Sequence, residues 1–285
     1  VDGAIKTYVA VLCSLVAAPA LAQESDASNP EDGGGDCEIS CPTQATFDVN
    51  TANQYLDCLN EARCYDEIAE AVELFADDSK PPGSHLMQDE DLRETLDALR
   101  VQIERRRAET AFSEKRYLEA AAIFLAIASD FPDWYDDVSR CHLLFNAAMA
   151  FERARLPGRA IAHYRRLIEQ YPRCKLAKDA TFVIGAHYHA LQMHERAAER
   201  LLDFAREYPA EEDAPFALSN AITFLIALGR DKEALDAVAL FERFYSRKRP
   251  AETATVVFTA GYIHIDNEDW KRVREHYSRY LKRYS

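Results

Sequence analysis

Few residues in this chain have the types and spacing that chemistry needs. His194-Glu195 opens the His-Glu-x-x-His pattern of a zinc peptidase helix, but Ala198 stands where the second histidine belongs. His187 and His189 are two apart and so face different sides of a helix. His187 and His194 share a side but lie about 10 Å apart along the axis, too far to hold one ion directly. The sequence has no glycine-rich phosphate loop ending in Lys and Ser or Thr, and no Gly-x-Ser-x-Gly nucleophile turn. Gly33 to Gly35 lie in an acidic run that follows no strand. No metal, cofactor or catalytic residue is therefore expected, and the chain reads as a binding protein, not an enzyme.

Cysteine is the remaining reactive type. Cys37 and Cys41 are four apart and Cys58 and Cys64 six apart, neither being the Cys-x2-Cys of a zinc knuckle. With Cys141 and Cys174 they make an even set beyond Cys13, which in an oxidising compartment predicts disulfides without fixing their pairing. Cys37, Cys41, Cys58 and Cys64 are expected to form two bridges that tie an acidic linker to the first helical hairpin. Cys141 and Cys174 either pair or remain as buried thiols, because neither has a convincing local base.

The elements that must position these residues begin with an export signal. Lys6, the apolar run Thr7 to Ala18 and the small-x-small triplet Ala20-Leu21-Ala22 predict a signal peptide over residues 1–22, cleaved before Gln23. Cys13 as a lipidation site is the alternative, but Leu12 stands where a small residue is wanted. No later apolar run reaches membrane-spanning length, so the expectation is an exported protein, periplasmic or outer-membrane associated. From Gln23 to Asp97 there are 20 acidic and 3 basic residues, while the whole chain has a net charge of -14, which leaves the remainder near neutral. Nucleic-acid binding needs clustered Lys and Arg and is disfavoured. Arg105-Arg106-Arg107 and Arg247-Lys248-Arg249 read as solvated helix surface and helix C-terminus.

Residues 23–46 are expected to be a flexible acidic linker. Residues 47–80 read as a helical hairpin, with Leu56, Leu59 and Ala62 on one helix and Ile68, Val72 and Phe75 on the next. Ser79-Lys80-Pro81-Pro82-Gly83 interrupts, and an unbroken helical pattern follows from Leu86 to Arg116. Residues 86–285 repeat. Ala120, Ala160, Ala197, Ala234 and Val273 are each followed four residues later by Phe124, Tyr164, Leu201, Val238 and Tyr277, at spacings of 40, 37, 37 and 39. Twelve residues before each comes Ala108, Ala148, Gly185, Ile222 or Gly261, and twelve after three of them comes Pro132, Pro172 or Pro209. Small residues let antiparallel helices approach, the larger residue fills the space beside them, and proline ends the second helix for want of an amide proton. Such a hairpin buries its apolar face only by stacking on its neighbours.

These residues resemble the tetratricopeptide repeat, with the stretch from Cys58 to Phe75 as a diverged further copy. Segments such as HYRRLIEQYPRCKLAKDATFVIGAHYHAL and ERAAERLLDFAREYP resemble its bacterial envelope branch, the BamD-like and YbgF-like Tol-Pal-associated proteins. The resemblance implies an all-α, right-handed superhelical solenoid of about six stacked hairpins. It also implies a concave groove lined by the first helix of each hairpin, where a peptide or helix of an envelope partner binds. Projected onto that groove are Phe145, Asn146, Met149 and Arg153, then Phe182, Ala186 and His189, then Phe216 and Asn220, then Phe258 and Tyr262. In the family an asparagine on this face bonds a peptide backbone. Asn146 and Asn220 match that placement, whereas Val183 and Thr259 do not. For Phe145 and Phe182, packing between hairpins is an equal reading. Two other roles stay open: a structural subunit that docks through the C-terminal helix (Val273, Tyr277, Tyr280, Leu281, Tyr284), and an accessory domain of a cell-wall enzyme.

Overall fold

The computed structural model describes residue 41 and residues 47–130 and 137–284. The expected signal peptide, nearly all of the expected linker, Cys37, Phe131 and Pro132 lie outside the described residues. Those described are all-α, with thirteen helices and no strand among them. By compactness the chain divides into two units, one ending at Arg106 and the other running from Arg107 to Ser285.

The first unit holds α1 (Val49–Glu61), α2 (Tyr65–Ala76), the short α3 (Gly83–Leu86) and the first part of α4 (Glu90–Ser113). Asp48 starts α1 with a capping box, its carboxylate accepting from the Thr51 amide at 2.8 Å while the Thr51 hydroxyl accepts from the Asp48 amide at 2.9 Å. Leu56 and Leu59 of α1, Ile68, Val72 and Phe75 of α2, and Leu92, Leu96 and Leu99 of α4 form one apolar core. Phe47 stands edge-on to Phe75 at 4.8 Å, and the Arg106 guanidinium lies 3.8 Å over the Tyr65 ring. Cys41 is bonded to Cys58 with Cα atoms 6.0 Å apart, which fastens residue 41 to α1; Cys64 is also disulfide-bonded.

The second unit begins within α4 and continues through α5 (Tyr117–Asp130), α6 (Asp137–Arg153), α7 (Pro157–Gln170), α8 (Lys175–Ala190), α9 (His194–Glu207), α10 (Ala214–Ala227), α11 (Asp231–Tyr245), α12 (Pro250–Asp266) and α13 (Trp270–Tyr284). Each helix from α5 on packs against the next, giving a solenoid of stacked hairpins. Pro157 and Pro250 open their helices, where the missing amide proton costs nothing.

Six three-residue turns join the two helices of each hairpin in the same way. Arg63, Lys115, Arg155, Gln192, Gly229 and Glu268 all have φ between 54° and 69°. In each turn that residue's amide reaches back to a carbonyl three residues earlier, and the next amide reaches back five. Gln192 N to His189 O is 2.9 Å, for example, and Met193 N to Tyr188 O is 2.8 Å. This Schellman geometry uses the free carbonyls of the first helix and turns the chain within three residues. Five of the six left-handed positions carry a side chain, so a glycine marks only the turn at Gly229 in the sequence.

The repeat register is visible in the packing. Ala120, Ala160, Ala197 and Ala234 are fully buried. Close crossings also lie between the other small residue of a hairpin and the larger one four beyond the alanine. A Cβ at Gly185 would lie 2.7 Å from Leu201, and one at Gly261 would lie 2.5 Å from the Tyr277 ring. Polar contacts between hairpins also recur at about one repeat: Tyr245 Oη donates to Pro209 O at 3.0 Å, Asn267 Nδ2 to Asp231 Oδ2 at 2.6 Å, and Lys178 Nζ to Glu211 Oε2 at 2.7 Å. Cys141 near the start of α6 is bonded to Cys174, the residue before α8, with Cα atoms 6.5 Å apart.

Candidate functional site

The first helices of successive hairpins stand side by side, α6 touching α8 and α10 touching α12, and they offer a common face. The i, i+3 and i+4 spacing within each helix decides which residues reach it. On α6 these are Asn146 and Met149, both half-buried, and Arg153, which is exposed. On α8, Phe182, Ala186 and His189 are half-buried, as are Phe216 and Asn220 on α10. Phe258 and Tyr262 on α12 are exposed.

Phe145, projected onto this face, belongs to the interior. It is 4% exposed and meets the Tyr164 ring edge-on at 5.2 Å, because α7 and α8 close over it. Phe182 is divided between the two roles: its ring packs on Phe204 of α9 at 5.2 Å while part of it remains open. His189 serves mainly in packing, stacked on Phe224 at 4.8 Å with Nδ1 3.5 Å from His194 Nδ1. Burial, followed by the neighbouring His194, lowers the pKa of His189, which favours the neutral ring.

Asn146 and Asn220 occupy the same position in the first helices of two hairpins, and neither side chain has a hydrogen-bond partner among the described residues. Between and after them, Val183 has no hydrogen-bonding atom, and the Thr259 hydroxyl is used on its own helix, donating to Thr255 O at 2.9 Å. The face therefore offers two unspent amides separated by an apolar position.

Beside it lies a polar cluster that sequence spacing did not indicate. Tyr164 Oη of α7 donates to Glu152 Oε2 of α6 at 3.3 Å, and His187 Nε2 of α8 lies 3.3 Å from the same oxygen, off the line of a hydrogen bond. His187, with help from Tyr164, holds the Glu152 carboxyl below its ordinary pKa, while burial and Glu152 raise that of the Tyr164 hydroxyl. Only the fold brings the three together, since each belongs to a different helix. The cluster pins two hairpins and holds a carboxylate beside the open face.

On the side of the second helices, a cavity of about 470 Å³ lies among α7, α8 and α9, floored by Ile168, Thr181 and Ile184. Its charges oppose one another within single helices, Arg165 with Glu169 at 3.6 Å and Arg200 with Asp203 at 3.8 Å. It has no net sign with which to select a charged ligand. Among the described residues no group of three His, Cys, Asp or Glu side chains could hold a metal, and no helix is long and apolar enough to cross a membrane.

A tetratricopeptide-repeat family model matches residues 143–173, the hairpin of α6 and α7. Among solved structures, the chain is similar to MamA of AMB-1, with 17% identity over 65% of this chain and 92% of that one and a TM-score of 0.45. It is similar to nearly identical TPR-like repeats of a Podosopora anserina kinesin light chain, with 10% identity, 64% and 93% coverage and a TM-score of 0.42. It is also similar to the apo form of RapI, with 12% identity, 64% and 69% coverage and a TM-score of 0.43. No curated protein sequence matches it. The class defined by fold and face together is a helical-hairpin repeat array, with a tetratricopeptide repeat at residues 143–173.

Proposed function

We propose that this protein is a non-enzymatic tetratricopeptide-repeat scaffold of the bacterial cell envelope, and that it binds a peptide or helix of a protein partner in the concave groove of its first helices. The observation that carries this reading is the pair Asn146 and Asn220, half-buried amides at one repeat position with unspent hydrogen-bonding capacity. An extended peptide backbone offers the donors and acceptors that such amides need, and Met149, Phe182 and Phe216 offer apolar surface beside them. Export rests on Lys6, the apolar run and Ala20-Leu21-Ala22. Cell fractionation that recovers the chain in the cytoplasm with residues 1–22 attached would remove the envelope from the proposal.

Replacing both asparagines tests the groove. Asn146→Ala with Asn220→Ala should weaken partner binding by about 1–3 kcal/mol per lost hydrogen bond while leaving helical circular dichroism and melting nearly unchanged. Binding at wild-type affinity would eliminate the groove as the recognition surface.

A further inference from the structure

His189 and His194 are five residues apart, a separation that sets side chains on different faces of one continuous helix. The chain brings them together by turning between them. α8 ends at Ala190, α9 begins at His194, and the turn residue Gln192 has φ 60°. Gln192 N donates to His189 O at 2.9 Å and Met193 N to Tyr188 O at 2.8 Å, so main-chain hydrogen bonds fix the backbone between the two histidines. Phe224 of α10 holds the rings from a third side, 4.8 Å from His189 and 5.3 Å from His194 by centroid. Both histidines are half-buried.

In this frame the two Nδ1 atoms face each other at 3.5 Å, while the ring centroids are 5.4 Å apart. The contact is long for a hydrogen bond from a ring N–H, which usually spans about 2.7–3.2 Å. Because the centroids stand farther apart than the nitrogens, the lines from each centroid through its Nδ1 close toward one another. For two imidazoles set symmetrically they meet about 2.1 Å beyond each nitrogen at an angle of about 110°, the bond length and tetrahedral angle of histidine-bound zinc. Another histidine pair lacks this geometry. His264 and His276 have centroids 5.6 Å apart, but His276 Nε2 is spent on Val257 O, to which it donates at 2.8 Å.

We infer that His189 and His194 form a preorganised two-imidazole site for a late first-row divalent cation, with Zn2+ as the probe. Neutral imidazole nitrogens suit zinc, copper and nickel, whereas Mg2+ and Ca2+ take oxygen donors. Among the described residues no third His, Cys, Asp or Glu joins the pair. Two positions of a tetrahedral ion therefore stay open to water or to a donor from a bound partner. The turn supplies what a loose pair lacks, because both ligands are held before the ion arrives. Binding ties the end of α8 to the start of α9 beneath Phe224. The site stands independently of the groove reading, since neither Asn146 nor Asn220 takes part.

The full chain with its disulfides intact is titrated with Zn2+ against a colorimetric chelator, while long-range proton–nitrogen spectra read the histidine ring nitrogens. One equivalent of Zn2+ should bind, raise the melting temperature and move the Nδ1 signals of His189 and His194, and Mg2+ and Ca2+ should do none of these. His189→Gln or His194→Gln should weaken that equivalent by more than about tenfold, because losing even an outer-shell partner of a metal ligand costs about 10–100-fold. His276→Gln, at the other pair, and Asn146→Ala with Asn220→Ala should leave it unchanged. If a glutamine variant does not fold, the spectra of the unaltered chain decide alone. No binding, an equivalent that survives both glutamine substitutions, or saturation that leaves both Nδ1 signals in place would overturn the proposal, the last two marking the ion as adventitious.

Discussion

The hairpin α1–α2 and the hairpin α8–α9 close with the same turn, Arg63 at φ 58° and Gln192 at φ 60°, yet their apolar faces are buried by different means. The first is closed within its own unit. Leu56, Ile68 and Phe75 meet Leu92 and Leu96 of α4, a capping box starts α1, and a disulfide fastens residue 41 to it. The second is closed by its neighbours in the stack. Tyr164 of the hairpin before it stacks on His187, and Phe224 of the hairpin after it covers His189 and His194. A hairpin with local staples forms a small closed core. A hairpin that relies on stacking leaves its first helix aligned with other first helices, and a long shared face results.

Phe75→Ala should break the first arrangement with the largest effect. The ring is fully buried against Phe47 and Tyr55, and removing it should cost about 3–5 kcal/mol. Hydrogen exchange should then accelerate in α1 and α2 while α8 to α11 keep their protection. Equal acceleration throughout would mean that the two units unfold as one and that the contrast between them is false.

A smaller effect is expected at the stacked hairpin. Gly185→Val places a side chain where a Cβ already lies 2.7 Å from Leu201, and should lower stability by about 1–3 kcal/mol. Gly158→Val is the control, because a Cβ there meets nothing within 4 Å. Thermal melts that rank the two alike would show that the crossing of α8 and α9 does not depend on the small residue.

Much of this architecture was legible in the residues. The spacing of Ala120, Ala160, Ala197 and Ala234 located the hairpins, because a small residue is needed wherever two helices cross closely. The turns were not legible, since the left-handed position holds Arg, Lys, Gln or Glu as well as Gly229, and backbone hydrogen bonds, not side-chain type, fix it. The unbroken pattern from Leu86 to Arg116 suggested one helix. The chain instead makes a short α3 and starts α4 at Glu90, where Asp89 accepts from the Leu92 amide at 2.9 Å as a cap would. At the face, the resemblance to the repeat family projected Asn146, Met149, Asn220 and Phe145 onto the groove, with packing between hairpins an equal reading for Phe145. Only the packing of α7 and α8 showed that Phe145 turns inward. The cluster of Glu152, Tyr164 and His187 left no trace in the sequence, because it joins three helices that only stacking brings together.

The central claim is that recognition occurs on the first helices and not on the second. Photo-crosslinking compares them in one experiment. A benzophenone amino acid is placed at Thr223, half-buried on α10 three residues beyond Asn220, and in a parallel variant at Arg200, which borders the cavity on the side of the second helices. The account predicts one discrete partner adduct from Thr223, lost when Asn146 and Asn220 are both alanine, and none from Arg200. An adduct from Arg200 that survives the asparagine substitutions, with none from Thr223, would contradict it.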